Sequence, residues 1–162
     1  MDTRAVSLAN RGEIRVSSTH ILETRISSCV SVCLYHPDFK IGGITHISRS
    51  RNNDTTPSGK YVKTNGYYYA DKAIPRLLYL LKQSYSAIRD NSLEMVLAGG
   101  MNNEGPIGET PSELEKYEFK MVGRDVNKML HRHVIFDVPS GIVTVNRKKP
   151  FAEMKTARCF KF

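Results

Sequence analysis

The sequence predicts an α+β fold: a single domain with a mostly antiparallel, sandwich-like β-sheet system and flanking helices. Three observations carry this. The chain has 162 residues, a length that suits one domain around one core. Short segments that alternate apolar and polar residues, or are dense in β-branched ones, recur between clusters of turn residues. The elements run strands, helix, strand, short helix, strands, an order that packs helices on an antiparallel sheet system.

Each element has a local reason. Residues 1–11 read as a lead-in. In "EIRVSST", Ile14 and Val16 share one side, which predicts a half-buried strand. "SCVSVCLYH" puts Val30, Val32 and Leu34 on one face and Cys29, Ser31, Cys33 and Tyr35 on the other, a strand with both faces partly covered. "HPDFKIGG" is turn chemistry, and "ITHIS" is a further short strand. "RSRNNDTTPSGKYVKTNG" is polar throughout and reads as a long loop. After the Tyr67–Tyr68–Tyr69 run, Asp71 is placed to cap a helix, with Ile74, Leu77, Leu78, Leu81 and Tyr85 at helical spacing. Pro75 falls in or near its first turn, where proline costs least. "LEMVLAGG" is a buried strand ending on two glycines, where the backbone must turn or approach something closely. "TPSELEK" predicts a short helix capped by Thr110 or Ser112. "YEFKMVG" is a strand, and "RHVIFDVPSGIVTV" is a hairpin around "DVPSG".

Composition narrows the function classes. With 40% hydrophobic and 25% charged residues the chain is too apolar for a disordered protein. No apolar run reaches membrane-spanning length, and "MDTRAVSLANRGE" has no apolar leader core, so a cytoplasmic location without membrane insertion is expected. Three cysteines without a CxxC suggest neither a disulfide framework nor a zinc ribbon. The formal charge is +8, and residues 147–162 hold six Lys/Arg against Glu153. Such a basic tail suits nucleic acid, an anionic membrane or an acidic partner, or is a solvated extension. The tyrosine run beside basic residues raises nucleic-acid binding, but its place before the main helix favours packing beneath it, so no nucleic acid is expected.

Cys29 stands where the backbone leaves "ISS" and enters a strand, so unpaired N–H groups are available there to hold an oxyanion. A nucleophilic cysteine also needs a base, and His46 lies beyond the Gly42–Gly43 turn on the next strand. Against this, Cys29 reads equally as a small buried hydrophobe and His46 as a structural histidine. Cys33, inside the strand, reads as packing, and His36 before Pro37 as a solvated loop residue. His131 and His133 share a strand face, but two ligands are too few for structural zinc, so no metal and no cofactor is expected.

A resemblance extends this reading. "GEIRVS…LETRISSCVSVCLYHPDFKIGGITHI" resembles the CheD family, the chemoreceptor glutamine deamidases of bacterial and archaeal chemotaxis. That family has a threonine, a "GSCV-V-LYD"-like strand and a "GG--H" turn. Here Thr24 precedes the cysteine, and His46 follows Cys29 by 17 positions as in the family pattern. "YADKAIPRLL", "LAGGMN", "PIGE" and "HRHVIFDVPSGIVTVNR" are similar, in order, to its Y-x-D-x-A, "FGGA-M", "IG-RN" and "GR-V-F---TG-V-V-R" segments. The resemblance covers residues 12–147 and leaves 148–162 as the basic tail.

It implies a cysteine-dependent protein-glutamine glutaminase. Cys29 would attack the carboxamide, His46 would act as acid and base, and Thr24 would orient the imidazole. Ser28 and Ser27 would flank the oxyanion and substrate site, giving glutamate and ammonia through a thioester. It implies chemoreceptor cytoplasmic helices as substrates and a CheC-like phosphatase as partner. The alternative is a CheD-like module that only binds such a partner. Three departures stand out. Ser27 replaces the glycine before Ser-Cys, and "GGITHISRS" lacks the family's proline after the histidine. The paired glycines of "D-GG--GR" are missing after Asp125.

Overall fold

The strand Val30–His36 is buried at every residue because its two faces look into two different cores. It is β4 in a computed structural model that describes residues 4–50, 66–151 and 155–162. Val30, Val32 and Leu34 pack with Ile74, Leu77 and Leu81 of a helix, while Cys29, Cys33 and Tyr35 meet Leu22, Phe136 and Val143 of an opposing sheet. Each such buried aliphatic side chain contributes about 1.5–3 kcal/mol over its exposed state.

Around β4 the described residues form two five-stranded sheets. One has the order β2 (Ile14–Ser17), β5 (Ile41–Thr45), β4, β6 (Glu94–Gly99), β7 (Lys120–Val126). The other has the order β1 (Val6–Leu8), β3 (Ile21–Ile26), β8 (His131–Asp137), β9 (Ile142–Lys148), β10 (Lys155–Lys161). Pairing is antiparallel except for β1 with β3 and β6 with β7. The sheets pack face to face, and helices α1 (Ala70–Ser84) and α2 (Pro106–Leu114) cover the outer side of the β4 sheet. This is the α+β, mostly β, single-domain architecture that the sequence predicts.

Gly42 and Gly43 lie inside β5 and not in a turn. A Cβ at Gly42 would come within 2.5 Å of Phe136, and one at Gly43 within 2.3 Å of Leu77. The glycines keep β5 thin, so that the opposing sheet and α1 can close on it from both sides. The turn itself occupies residues 37–40, with Lys40 at φ 48°.

The helix termini differ from expectation. Tyr69 is the residue that begins α1, and Asp71 sits inside its first turn, where its charge still favours the helix dipole. Pro75 is the sixth helical residue, one turn deeper than expected. Helix α2 starts earlier, at Pro106, and the hydroxyl of Thr110 donates to the Pro106 carbonyl at 2.7 Å from the helix interior. His36 is not solvated: it ends β4 buried, stacked on Phe39 at 4.4 Å between ring centres. The lead-in contains β1, "LETRI" forms β3, and the basic C-terminal stretch forms β10 along β9. Most of the long polar loop expected over residues 49–66 lies outside the described residues.

One polar device crosses the interior. Arg132 of β8 is fully buried and donates from Nε to Asp125 of β7 at 3.0 Å, and its other nitrogens reach the carbonyls of Gly100 and Asn127. Where the resembling pattern has paired glycines, Asn127 and Lys128 adopt φ of 59° and 62°. The left-handed turn is therefore kept without glycine, and asparagine tolerates it better than lysine does.

Two stability outcomes follow. Lys128→Gly relieves the left-handed strain and raises the stability measured by urea denaturation by about 1 kcal/mol. Asp125→Ala leaves the Arg132 guanidinium buried without its carboxylate and lowers it by about 3–5 kcal/mol.

Candidate active site

Alternation along β3 turns Leu22, Thr24 and Ile26 toward the opposing sheet, and Thr24 is completely buried there. From the other sheet, His46 follows β5 by one residue and is 5% exposed. The two side chains meet between the sheets, Thr24 Oγ1 lying 2.8 Å from His46 Nδ1. A third group joins them. The carbonyl of Ala9, just past β1, accepts the Thr24 hydroxyl at 2.7 Å and lies 3.3 Å from His46 Nδ1.

Proton accounting assigns the tautomer. A threonine hydroxyl has one hydrogen, and it goes to the Ala9 carbonyl, which can only accept. Thr24 Oγ1 therefore accepts, and His46 Nδ1 carries the hydrogen. In the neutral ring Nε2 is then the basic nitrogen, and it is buried without a hydrogen-bond partner.

Cys29 faces the same interlayer. Reciprocal 2.8 Å hydrogen bonds pair Val30 with Ile47 and continue the β4–β5 register. Cys29 and His46 are diagonal neighbours on one face in that register. The cysteine backbone is pinned from behind. Its carbonyl accepts from Gly100 N–H at 2.8 Å, and Gly99, at φ 109°, comes so close that a Cβ would sit 2.2 Å from that carbonyl. The twin glycines of "LAGG" thus serve this close approach. Among the described residues the N–H groups of Ser28 and Cys29 make no hydrogen bond, which leaves two donors beside the sulfur.

Two clefts open on this constellation. One of about 720 Å³ is lined by Ser28, Cys29, Ser48, Tyr68 and Met101, among others. A second, of about 440 Å³, reaches His46 past Ala9 and Arg25. Arg11 lines both. It sits at the exposed tip of the β1–β2 turn, fastened by Gly12 N–H to the His46 carbonyl at 2.9 Å. The loop after His46 is held without its proline: Ser48 and Arg49 donate to the Tyr68 carbonyl, and Ser50 Oγ donates to Glu109 at 2.6 Å.

Burial dominates the electrostatics. Desolvation pushes the Cys29 thiol up, opposed by the positive field of Arg11 and a contact with Ser28. Desolvation pushes His46 down, opposed by the Ala9 carbonyl, with Arg11 pushing it down further. Burial thus favours the uncharged form of each group, a thiol and a neutral imidazole.

The other candidates separate cleanly. Ser28 is exposed in the Cys29 cleft, whereas Ser27 is turned away, its hydroxyl 2.6 Å from His131 Nδ1. Ser27 has no left-handed φ, so replacing glycine there introduces no backbone strain. Cys33 is fully sequestered, its thiol pushed up to about 12 by desolvation. His133 pairs with Glu23 at 2.8 Å. Among the described residues no three His, Cys, Asp or Glu side chains cluster to hold a metal. Sequence reasoning missed Ala9 and Arg11: a backbone carbonyl has no residue signature, and an arginine in a lead-in looks like any surface charge.

No protein-family model matches the chain. Curated relatives do. A "Probable chemoreceptor glutamine deamidase CheD" of Methanococcus vannielii is 32% identical over 84% of this chain and 91% of its own length. One from Methanococcus maripaludis strain C6 is 31% identical over 90% of this chain and 95% of its own. A bacterial protein of the same description, from Oceanobacillus iheyensis, is 31% identical over 75% and 78%. No described helix is long and apolar enough to cross a membrane.

The neutral burial of His46 makes stability pH-dependent in a set direction. The unfolded histidine titrates near 6.5 and the folded one below it. Between those two values the unfolded state binds more protons, so stability is full above 6.5 and is lost as pH falls through the folded value. Urea midpoints measured from roughly pH 7 down to pH 5 decline, and His46→Gln flattens that decline.

Proposed function

The chain belongs to the CheD family of probable chemoreceptor glutamine deamidases, and on that premise we propose that it hydrolyses glutamine side-chain amides of chemoreceptors through Cys29. The observation that supports this most directly is the His46 ring, clamped at Nδ1 by Thr24 and Ala9 and left unpartnered at Nε2, on the face that carries Cys29.

The chemistry starts from the neutral pair. As Cys29 Sγ bonds to the carboxamide carbon, its proton passes to His46 Nε2, and the carbonyl oxygen takes the negative charge. The N–H groups of Cys29 and Ser28, unpaired among the described residues, are available as donors for that oxyanion. The imidazolium formed is stabilised at Nδ1–H by the Ala9 carbonyl and the Thr24 hydroxyl oxygen, two neutral acceptors. Nε2 then returns its proton to the nitrogen, the C–N bond breaks, and ammonia leaves a thioester. A water molecule that gives its proton to Nε2 attacks the thioester carbon. The C–S bond breaks, glutamate is released, and the proton goes back to sulfur.

Burial is consistent with this order of events. A preformed thiolate–imidazolium pair would place two charges where desolvation opposes both, so transfer coupled to attack is the lower route. Arg11, with its field on both groups, favours the sulfur anion while disfavouring the ring cation. Converting a receptor glutamine to glutamate adds a negative charge to a signalling helix, a change able to shift a conformational equilibrium.

The test is a receptor cytoplasmic fragment incubated with wild-type protein or variants, with ammonia release and Gln-to-Glu conversion followed by mass spectrometry. Cys29→Ala abolishes conversion, and His46→Ala lowers kcat by about 10²–10⁴-fold. Thr24→Val lowers it roughly tenfold, the loss of one hydrogen bond of about 1.4 kcal/mol, and Thr24→Ser restores most of it. If wild type and Cys29→Ala alike leave every glutamine intact, the deamidase reading fails and a binding role remains.

A further inference from the structure

We infer that the outer face of the β3–β8–β9–β10 sheet docks an acidic segment of the polypeptide whose glutamine enters the Cys29 cleft. This rests on the proposed deamidation of a protein substrate and adds how that substrate is held. The face carries a cleft of about 630 Å³, and none of the described residues lining it is acidic.

The pairing register explains why the cations gather. Lys155 stands directly opposite Lys148, and Lys148 opposite His131. Continuing the β3–β8 register by one residue sets His131 opposite Ser27, in agreement with their 2.6 Å contact. One cross-strand row thus runs Lys155, Lys148, His131, Ser27 and ends two residues before Cys29. The next row on the same face pairs His133 with Arg25. Like charges opposed across strands repel in the free protein, and a bound anion removes that cost. Among the described residues the face's acids are already engaged: Asp137 with Arg4 at 2.6 Å, and Glu23 with His133 at 2.8 Å. Among the described residues, Arg25, Lys148 and Lys155 have no acidic partner within ion-pair distance.

The row is continuous with the site. Ser27 lines the cationic cleft, and Ser28 and Cys29 line the next one. Arg25 lines both the cationic cleft and the cleft that reaches His46. A chain lying along the row therefore arrives at the nucleophile. Nucleic acid fits less well, because no Phe, Tyr or Trp lines the cationic cleft to stack a base.

Deamidation of a receptor cytoplasmic fragment by wild type, Lys148→Glu/Lys155→Glu and the control Lys72→Glu tests this. Lys72 is an exposed lysine on α1. Circular dichroism and the rate of Cys29 alkylation by iodoacetamide report fold and site integrity. The double reversal raises KM about tenfold with kcat within about twofold, while Lys72→Glu leaves KM unchanged. Raising salt from about 50 to 300 mM raises the wild-type KM and leaves that of the double variant nearly flat. An active wild type whose KM the double reversal does not change overturns the inference. A wild type that converts no glutamine defeats the deamidase reading alone. Docking is then read by titrating the fragment against Cys29→Ala protein, where equal affinity with and without the double reversal overturns it. Loss of duplex RNA binding in the double variant, with fragment affinity unchanged, overturns it as well.

Discussion

A guanidinium without access to water ties the two sheets together beside the candidate site. Arg132 comes from one sheet and Asp125 from the other, and the same side chain reaches the carbonyl of Gly100. Gly100 in turn donates its N–H to the carbonyl of Cys29. Position therefore passes from a buried ion pair to the backbone of Cys29 through one residue. Arg147 and Arg158 also approach Asp125, at 3.4 and 3.8 Å, so a single buried carboxylate is surrounded by three arginines. Such a pair gives little net stability over an apolar replacement, but breaking it is costly, which makes it a device for holding one arrangement of the sheets.

That arrangement matters because the site belongs to neither sheet alone. Thr24 and the Ala9 carbonyl belong to one sheet side, His46 and Cys29 to the other. The imidazole is oriented only while the sheets stay in register. The interlayer that makes this possible also desolvates Cys29 and His46, and the charge of Arg11 at the rim offsets part of that for sulfur. The imidazole is thus clamped at Nδ1, and burial disfavours charge on both the ring and the thiol.

Much of this was legible in residue patterns, for physical reasons. Alternation is set by the two-residue period of a strand, so β4 with its two covered faces could be read directly from "VSVCLYH". The Leu77/Leu81 stripe of α1 follows from helical period in the same way. Where local pattern is weak, the reading failed. β1 is three residues long, and β10 is mostly exposed and polar, so neither carries an amphipathic signal, and both exist because a neighbouring strand offers hydrogen bonds. Gly42 and Gly43 looked like a turn because glycine is ambiguous between tight bends and close packing, and only Phe136 and Leu77 decide which applies. His36 looked like a loop residue because proline follows it, whereas Phe39 folds back to stack on it.

By itself the sequence determined the fold class and the buried strand with Cys29 at its head. These depend on side-chain periodicity and spacing, which are local. Tertiary structure alone decided which His46 nitrogen is free, that a backbone carbonyl holds the other, and that the Ser27 hydroxyl meets His131. Those facts arise from contacts between residues as far apart as Ser27 and His131, or Ala9 and His46, and such contacts exist only once two sheets have closed on each other.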